Sequence, residues 1–277
     1  MKDTNKLIDI KSKPFLKWAG GKHKLVEVLA KSLADGDRLV EPFVGSGAVF
    51  MGTNYKQYLL CDTNADLIGL FNNLKNNTDK LVKEAQEFFS GKYKTEEAFY
   101  ELREKFNKLE ANDIIKSALF VYLNKHAFNG LCRYNSKGFF NVPFGRYTDP
   151  KLPINEMLLF AEKAQIAEFK CLDFVDTFKL INKGDVVYCD PPYVPLSATS
   201  SFTTYAKGDF KLDEQQALAD EANKAKKEGI RVVISNHDLE ITREMYKNAD
   251  ITDIDVRRNI SSKASTRGKV KELIAIF

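Results

Sequence analysis

Short apolar runs alternate with amphipathic stretches along this chain, and their order predicts its architecture. Arg38–Phe43 reads as a short buried strand that enters the loop Val44-Gly45-Ser46-Gly47 and then a helix start. Tyr58–Cys61 repeats the pattern, ending at Asp62 with a helix beginning near Asn64. Strand, helix, strand in this rhythm indicates a parallel sheet. From about residue 65 to 125 the period becomes helical and strands disappear. TEEAFYELREKFNK (95–108) puts Phe99, Leu102 and Phe106 on one face, and Asp113 to Lys125 keeps Ile114, Ala118, Val121 and Tyr122 in helical register. HAFNGLCRYNSKGFFNVPFGRY (126–147) is rich in Asn, Gly and aromatics and reads as a loop or hairpin turning at Asn135-Ser136-Lys137-Gly138. After about residue 153 strands return at Glu168–Cys171, Asp185–Cys189, Arg231–Ser235, Ile251–Val256 and Lys271–Phe277. Helices near 174–180, 213–227 and 240–247 separate them. The economical organisation is one α/β domain interrupted by a helical insertion.

Composition narrows the class. With 277 residues, 44% of them hydrophobic and 29% charged, the chain reads as an ordinary soluble globular protein able to bury a substantial core. The opening MKDTNKLIDIKSKPF is polar and has no signal-peptide core. Nowhere do about 18 apolar residues run together, so no membrane span is expected. Cys61, Cys132, Cys171 and Cys189 are far apart and form no CxxC pair, which argues against a zinc site and a disulfide framework and suits a reducing cytoplasm.

A net charge of +4 says little, but its distribution says more. Residues 11–26, 114–148 and 256–271 carry Lys and Arg and no acid at all, in a chain that holds 38 acids. Such windows read either as patches that meet a polyanion or as solvated surface charge.

Three stretches carry chemistry. In EPFVGSGAVF (41–50), glycines between strand and helix allow close backbone approach to a ligand, and Asp62 ends the next strand where an acid commonly binds ribose. The dinucleotide signature is incomplete, because Phe50 stands at its third glycine. Alone, the loop reads as a nucleoside site or as an ordinary tight turn. FLKWAGGK (15–22) flanks two glycines with Lys17 and Lys22 like an anion cradle, without P-loop spacing. Trp18, the single tryptophan, reads as core or as a lid over a flat ligand. In VVYCDPPYVPLS (186–197), Asp190-Pro191-Pro192-Tyr193 follows a strand, at its carboxyl end, where open α/β sheets bind ligands. Prolines stiffen the stretch and leave carbonyls free. A carboxylate and a bare carbonyl can both accept from one NH₂ group, while a rigid tyrosine stacks on the heterocycle that bears it.

FLKWAGGK, EPFVGSGAVF, NGLCRYN, FNVPFGRY, YCDPPY, VISNHD and VRRNISS, in this order from about Phe15 to the C-terminus, together resemble Dam-type DNA adenine-N6 methyltransferases, α-group members of the D12 class. The resemblance implies a Rossmann-like, S-adenosylmethionine-dependent methyltransferase sheet with an inserted, mainly helical target-recognition domain carrying a β-hairpin. Residues 1–64 and 154–277 would form the catalytic domain and 65–153 the recognition domain. Trp18, Lys22, Phe43, Gly45, Gly47, Asp62, Asp173, Phe174 and Asp190 would contact S-adenosylmethionine, leaving S-adenosylhomocysteine as product and needing no metal. Asp190, Pro191, Pro192 and Tyr193 would form the catalytic motif, with the target adenine flipped out onto Tyr193. Lys17, Phe128, Asn129, Leu131, Arg133, Pro143, Tyr147, Arg257 and Arg267 would contact DNA. Arg133 would read guanine, and Leu131 and Pro143 thymine methyls. The implied target is double-stranded GATC, with no membrane and no obligate protein partner, in the cytoplasm and on the nucleoid through DNA. Other readings are an RNA or protein-amide methyltransferase, a non-catalytic DNA-binding protein, and a nicotinamide dehydrogenase that would leave Asp190–Tyr193 unexplained.

Overall fold

The computed structural model describes residues 13–194, 210–257 and 269–277. Its strands are Arg38–Glu41 (β1), Gln57–Asp62 (β2), Ala167–Cys171 (β3), Asp185–Cys189 (β4), Arg231–His237 (β5), Asp250–Arg257 (β6) and Lys269–Ile276 (β7). They form one sheet in the order β3-β2-β1-β4-β5-β7-β6. The first five strands pair in parallel, and β7 runs antiparallel between β5 and β6. Helices are Val26–Ser32 (α1), Ala48–Gly52 (α2), Ala65–Asn76 (α3), Thr78–Phe88 (α4), Glu96–Asn107 (α5), Ile114–His126 (α6), Ile154–Ala164 (α7), Phe174–Phe178 (α8), Leu212–Lys227 (α9) and Glu240–Met245 (α10).

This is the α/β class the alternation predicts, and every predicted strand is present. β1 stops two residues earlier than its apolar run. Pro42 has no N–H for the ladder, and Gly45 (φ 48°) and Gly47 (φ 71°) turn the chain into α2. α7 is a helix that the strand pattern left unmarked.

Strand residues alternate between two cores, as a pleat requires. Leu39, Tyr58, Leu60, Val186 and Tyr188 pack on one face with the helices of residues 65–164. Val40, Leu59, Cys61, Val187 and Cys189 pack on the other with α8 and α9. All five residues of β4 are buried, which explains its unbroken apolar run. Helix α6 is buried nearly all round rather than along one stripe, because α3, α4 and α5 surround it. Asn64 and Asp113 cap α3 and α6, each accepting a backbone N–H.

The predicted turn forms where expected. The Gly138 N–H donates to the Asn135 carbonyl at 2.8 Å, and Asn135 Oδ1 accepts from Lys137 and Phe139. The hairpin around it is closed by isolated bridges, Ala127 to Phe144 and Tyr134 to Phe140, rather than by a continuous ladder. Among the described residues, no helix is long and apolar enough to cross a membrane.

Strand order reverses between β1 and β4, so the carboxyl ends of these two neighbours open a crevice. The glycine loop leaves from one and Asp190 from the other.

Candidate active site

Asp190 follows the last residue of β4 and is held from the flanking strand. Ser235 on β5 donates its hydroxyl to Asp190 Oδ1 at 3.0 Å. Because that proton is committed, the Tyr188 hydroxyl, 2.9 Å away, donates to Ser235. Lys22 Nζ lies 3.0 Å from the same Asp190 oxygen, 2.9 Å from the Gly20 carbonyl and 3.9 Å from Glu272 Oε2 on β7. Only 6% of Lys22 is exposed, so its ammonium depends on these acceptors. It also sits 4.5 Å from the centroid of the Tyr193 ring. The Tyr193 hydroxyl donates to Glu272 Oε2 at 3.1 Å, and the ring meets His237 edge-on at 4.8 Å. Burial, with the Asp190 and Glu272 charges adding to it, pushes the Tyr193 phenol well above its ordinary range, so it stays a donor.

The second group lies at the ends of β1 and β2. Asp62 accepts from the Gly45 N–H at 3.1 Å through Oδ2 and from the Asn64 N–H at 3.0 Å through Oδ1. Burial raises its pKa while these N–H groups oppose the shift. Gly45 has no room for a side chain, since a Cβ would stand 2.8 Å from Trp18 Nε1. The indole therefore covers the loop, and Trp18 also packs on the core, so both of its sequence readings have a structural counterpart. Phe43 stacks on Phe174 with centroids 5.9 Å apart, and both meet Phe210 edge-on. Asp173 caps α8, accepting the Asp176 N–H at 2.8 Å. Trp18, Phe43, Gly45, Gly47, Asp62 and Phe174 thus gather at neighbouring strand ends, whereas Lys22 lies with Asp190. No cluster of metal-binding side chains occurs among the described residues.

The third group surrounds the hairpin. Asn124 on α6 clamps the Lys17 backbone, accepting its N–H and donating to its carbonyl, both at 2.8 Å, and also reaches the Gly130 carbonyl. A Cβ on Gly130 would overlap the Lys17 stem. Asn129 adopts φ 55°, a left-handed conformation that asparagine tolerates better than most residues. Lys17 Nζ lies 4.1 Å from the Tyr147 ring centroid, and burial lowers its pKa. Lys125 is half-buried, and desolvation, with the Lys17 charge adding to it, pushes it down to about 8. Phe128 is 50% exposed, Asn129, Pro143 and Tyr147 are exposed too, and Leu131 packs on the core edge. Arg133 donates through Nε to Asn141 Oδ1 at 2.8 Å and through Nη2 to the Asn141 carbonyl at 3.3 Å. Arg257 ends β6, and Arg267 lies outside the described residues.

Residues 18–260 match the D12 class N6 adenine-specific DNA methyltransferases. The chain belongs to that family. Its relatives include the DNA adenine methylase of Escherichia coli (strain K12), 48% identical over 267 residues and 96% of each chain. Another, from Vibrio cholerae, is 47% identical over 268 residues and 96% of each chain. A third, from Serratia marcescens, is 47% identical over 268 residues, 96% of this chain and 99% of that one. The protein is an adenine-specific DNA methyltransferase, the class the motifs imply.

The site of this methyltransferase also contains residues that motif reading passed over. Ser235 and Glu272 reach Asp190 and Tyr193 from strands far along the chain, and only the VISNHD run that holds Ser235 gave any hint. Glu41, quoted as part of the glycine-loop motif, is 2% exposed, and its Oε1 has no hydrogen-bond partner among the described residues. Burial pushes its carboxyl up to about 8, with Asp190 adding and Lys163 opposing. Burial pushes Lys163 down to about 8; it donates to the Thr53 carbonyl and lies over the Phe50 and Tyr58 rings.

Proposed function

We propose that this enzyme transfers a methyl group from S-adenosylmethionine to N6 of a flipped-out adenine in double-stranded GATC. The observation that carries the reading is the pairing, at the end of β4, of the Asp190 carboxylate with a buttressed Tyr193 ring. The residues at hand fit a nucleoside with a cationic amino-acid tail. Aromatic faces at Phe43, Phe174 and Phe210 suit a base, Asp62 suits a ribose, and the open buried oxygen of Glu41 suits an ammonium. When bound there, S-adenosylmethionine supplies an electrophilic methyl on sulfonium.

Adenine N6 is a weak nucleophile because its lone pair is delocalised into the ring. Asp190 accepts one of its N–H groups and the Pro191 carbonyl the other, which favours a pyramidal nitrogen with its lone pair exposed. Holding the amine for in-line attack supplies much of the acceleration. The carboxylate stabilises the positive charge that develops on nitrogen, and water takes the proton afterwards. Tyr193 offers its face to the extruded base, whose unstacking costs a few kcal/mol. Lys22 occupies one Asp190 oxygen in the DNA-free protein, so the amine shares that carboxylate with the ammonium or displaces it.

Residues 65–153 are assigned to target recognition and residues 1–64 with 154–277 to catalysis. Arg133, held side-on by Asn141, turns its fork to guanine O6 and N7, and Leu131 and Pro143 meet thymine methyls. Phe128 fills the space in the stack, while Lys17, Asn129, Tyr147, Arg257 and Arg267 grip the backbone or flanking bases. Double-stranded DNA is favoured over RNA and protein amides by the hairpin motif and by relatives named DNA adenine methylases.

The test is tritiated methyl transfer to two duplexes that differ as GATC and GTTC. Label only on the first, recovered as N6-methyladenine, is expected. Equal label on both would overturn the target, and no label on either, with DNA binding intact, would overturn the activity.

A further inference from the structure

The loop after Asp190 is held from beneath by Gln215, which lies in none of the quoted motifs, and by Asn236 and His237 of the VISNHD run, to which no role has been assigned. Gln215 on α9 donates through Nε2 to the Pro192 carbonyl at 2.7 Å. Its Oε1 accepts from Asn236 Nδ2 on β5 at 2.9 Å. Asn236 Nδ2 also donates to the Tyr246 hydroxyl at 3.0 Å. Asn236 Oδ1 accepts from the backbone N–H of His237 at 2.9 Å and of Val194 at 3.3 Å. The Val194 carbonyl in turn lies 2.6 Å from His237 Nδ1. Gln215, Asn236 and Tyr246 are each 0% exposed.

The polarity of this chain of amides is forced. Backbone N–H groups can only donate, so they fix Asn236 Oδ1 towards Val194 and His237. Asn236 Nδ2 must then face Gln215 Oε1, which leaves the Gln215 amide nitrogen facing the Pro192 carbonyl. The proline rings set φ at 191 and 192, so ψ is the soft backbone torsion left at each. Gripping the Pro192 carbonyl removes the freedom at 192, and gripping Val194 at both its N–H and its carbonyl fixes the far side of Tyr193. Among the described residues, no donor reaches the Pro191 carbonyl. The one carbonyl of the pair that has a partner is the one not needed for the base.

We propose that Gln215, oriented by Asn236, is a positioning residue for methyl transfer: by taking the Pro192 carbonyl it aims the Pro191 carbonyl and the Tyr193 ring at the target adenine. This rests on the reading that Asp190 and Pro191 accept the amine. A buried glutamine among Leu218, Ala219 and Ala222 needs both of its partners, and an apolar residue would pack there at no polar cost.

The test replaces the donor and reads the single-turnover rate on saturating S-adenosylmethionine and GATC duplex from pH 6 to pH 9. A carboxyl at position 215 donates to the Pro192 carbonyl only when protonated. Gln215→Glu is therefore expected to be slowed at least tenfold at pH 9 and to regain most of that loss by pH 6, a trend absent from wild type. Gln215→Met, which cannot donate, is expected to be slowed at least tenfold at every pH, with KM for DNA and for S-adenosylmethionine within about twofold of wild type. Thermal unfolding of each variant accompanies the rates. A Gln215→Glu profile parallel to wild type, or a Gln215→Met loss that appears in KM rather than kcat, would overturn the proposal. Asp190→Ala, measured alongside, separates the two inferences. An active Asp190→Ala enzyme removes the amine-acceptor reading itself, whereas an inactive one with a pH-parallel Gln215→Glu removes only the clamp.

Discussion

The end of β4 and the 126–147 hairpin are both assigned to the target base pair region, yet they are built in opposite ways. Around Asp190 and Tyr193 the holding groups are buried, come from β5, β7 and α9, and satisfy one another's hydrogen bonds. Around Arg133 the ring of Phe128 and the edge of Tyr147 face solvent, and two isolated bridges close the loop. Chemistry needs an amine and two acceptors aligned before reaction, which only a rigid scaffold supplies. Recognition needs side chains that exchange internal partners for base edges when DNA arrives, as Arg133 can exchange Asn141. On the proposed function, the methyltransferase puts its order where the bond would be made and its exposed polar and aromatic side chains where the sequence would be read.

The sharpest way to break this contrast is at its rigid end. Asp190→Ala is expected to lower methyl transfer by about a thousandfold or more while DNA binding persists, because it removes the acceptor proposed to stabilise the developing charge. Tritium transfer and filter binding measure the two. A variant with near-normal turnover would place the chemistry elsewhere.

Glu41 tests burial itself. Its carboxyl sits at about 8 when folded, against an ordinary 4.5. A raised carboxylate pKa gives stability that is complete below the unfolded value and is lost as pH rises through the folded one. Glu41→Gln does not titrate, so its melting temperature should gain on wild type from about pH 5 to pH 8 and level off above. The loss is at most about 1.4 kcal/mol per pH unit, and in a chain of this size each kcal/mol moves the midpoint by roughly 2–4 °C. A gap that does not change with pH would mean that water reaches this carboxyl.

At the exposed end, Arg133→Ala is expected to cost about 1–3 kcal/mol of discrimination at the guanine, roughly 5- to 150-fold, with catalysis on saturating duplex little changed. Competition between GATC and a duplex altered at that guanine measures it. An unchanged preference would mean that the guanine is read by another side chain.

What the sequence disclosed follows the same division. The strands were legible because β4 and its neighbours are apolar on both faces, and Asp190–Tyr193 was legible because two prolines behind an acid are an unusual way to leave a strand. Chemistry concentrated in a short segment leaves a short pattern. Asn236 was visible only as part of the VISNHD run, and Glu272 and Gln215 were not legible as site residues. They meet Tyr193 and Pro192 only because β7 returns antiparallel beside β5 and α9 packs beneath the loop, a convergence that no local spacing records. Glu41 had no reading of its own, since nothing in EPF distinguishes a solvated acid from a buried one that meets the Phe50 N–H and the Lys163 charge. In the hairpin the turn was readable from Asn135 and Gly138, but the pairing of Arg133 with Asn141 depends on a fold-back that leaves no ladder.

The finest test asks whether the buried groups act as one unit. The Tyr193 hydroxyl and Glu272 share a hydrogen bond of 3.1 Å, and Lys22 lies within 4.5 Å of the same ring. Tyr193→Phe keeps the stacking face and removes only this tether, so a modest loss in kcat, about fivefold or near 1 kcal/mol, is expected. Glu272→Ala removes the tether from the other side and frees Lys22 from its second carboxylate, so its loss should be at least as large. If the tether is what Glu272 contributes to the ring, the double variant should be no slower than Glu272→Ala alone, a coupling of about 1 kcal/mol in the cycle. Strict additivity of the two losses would show that hydroxyl and carboxylate act separately, and the rigid end would then be a set of independent contacts, no more cooperative than the hairpin it is compared with.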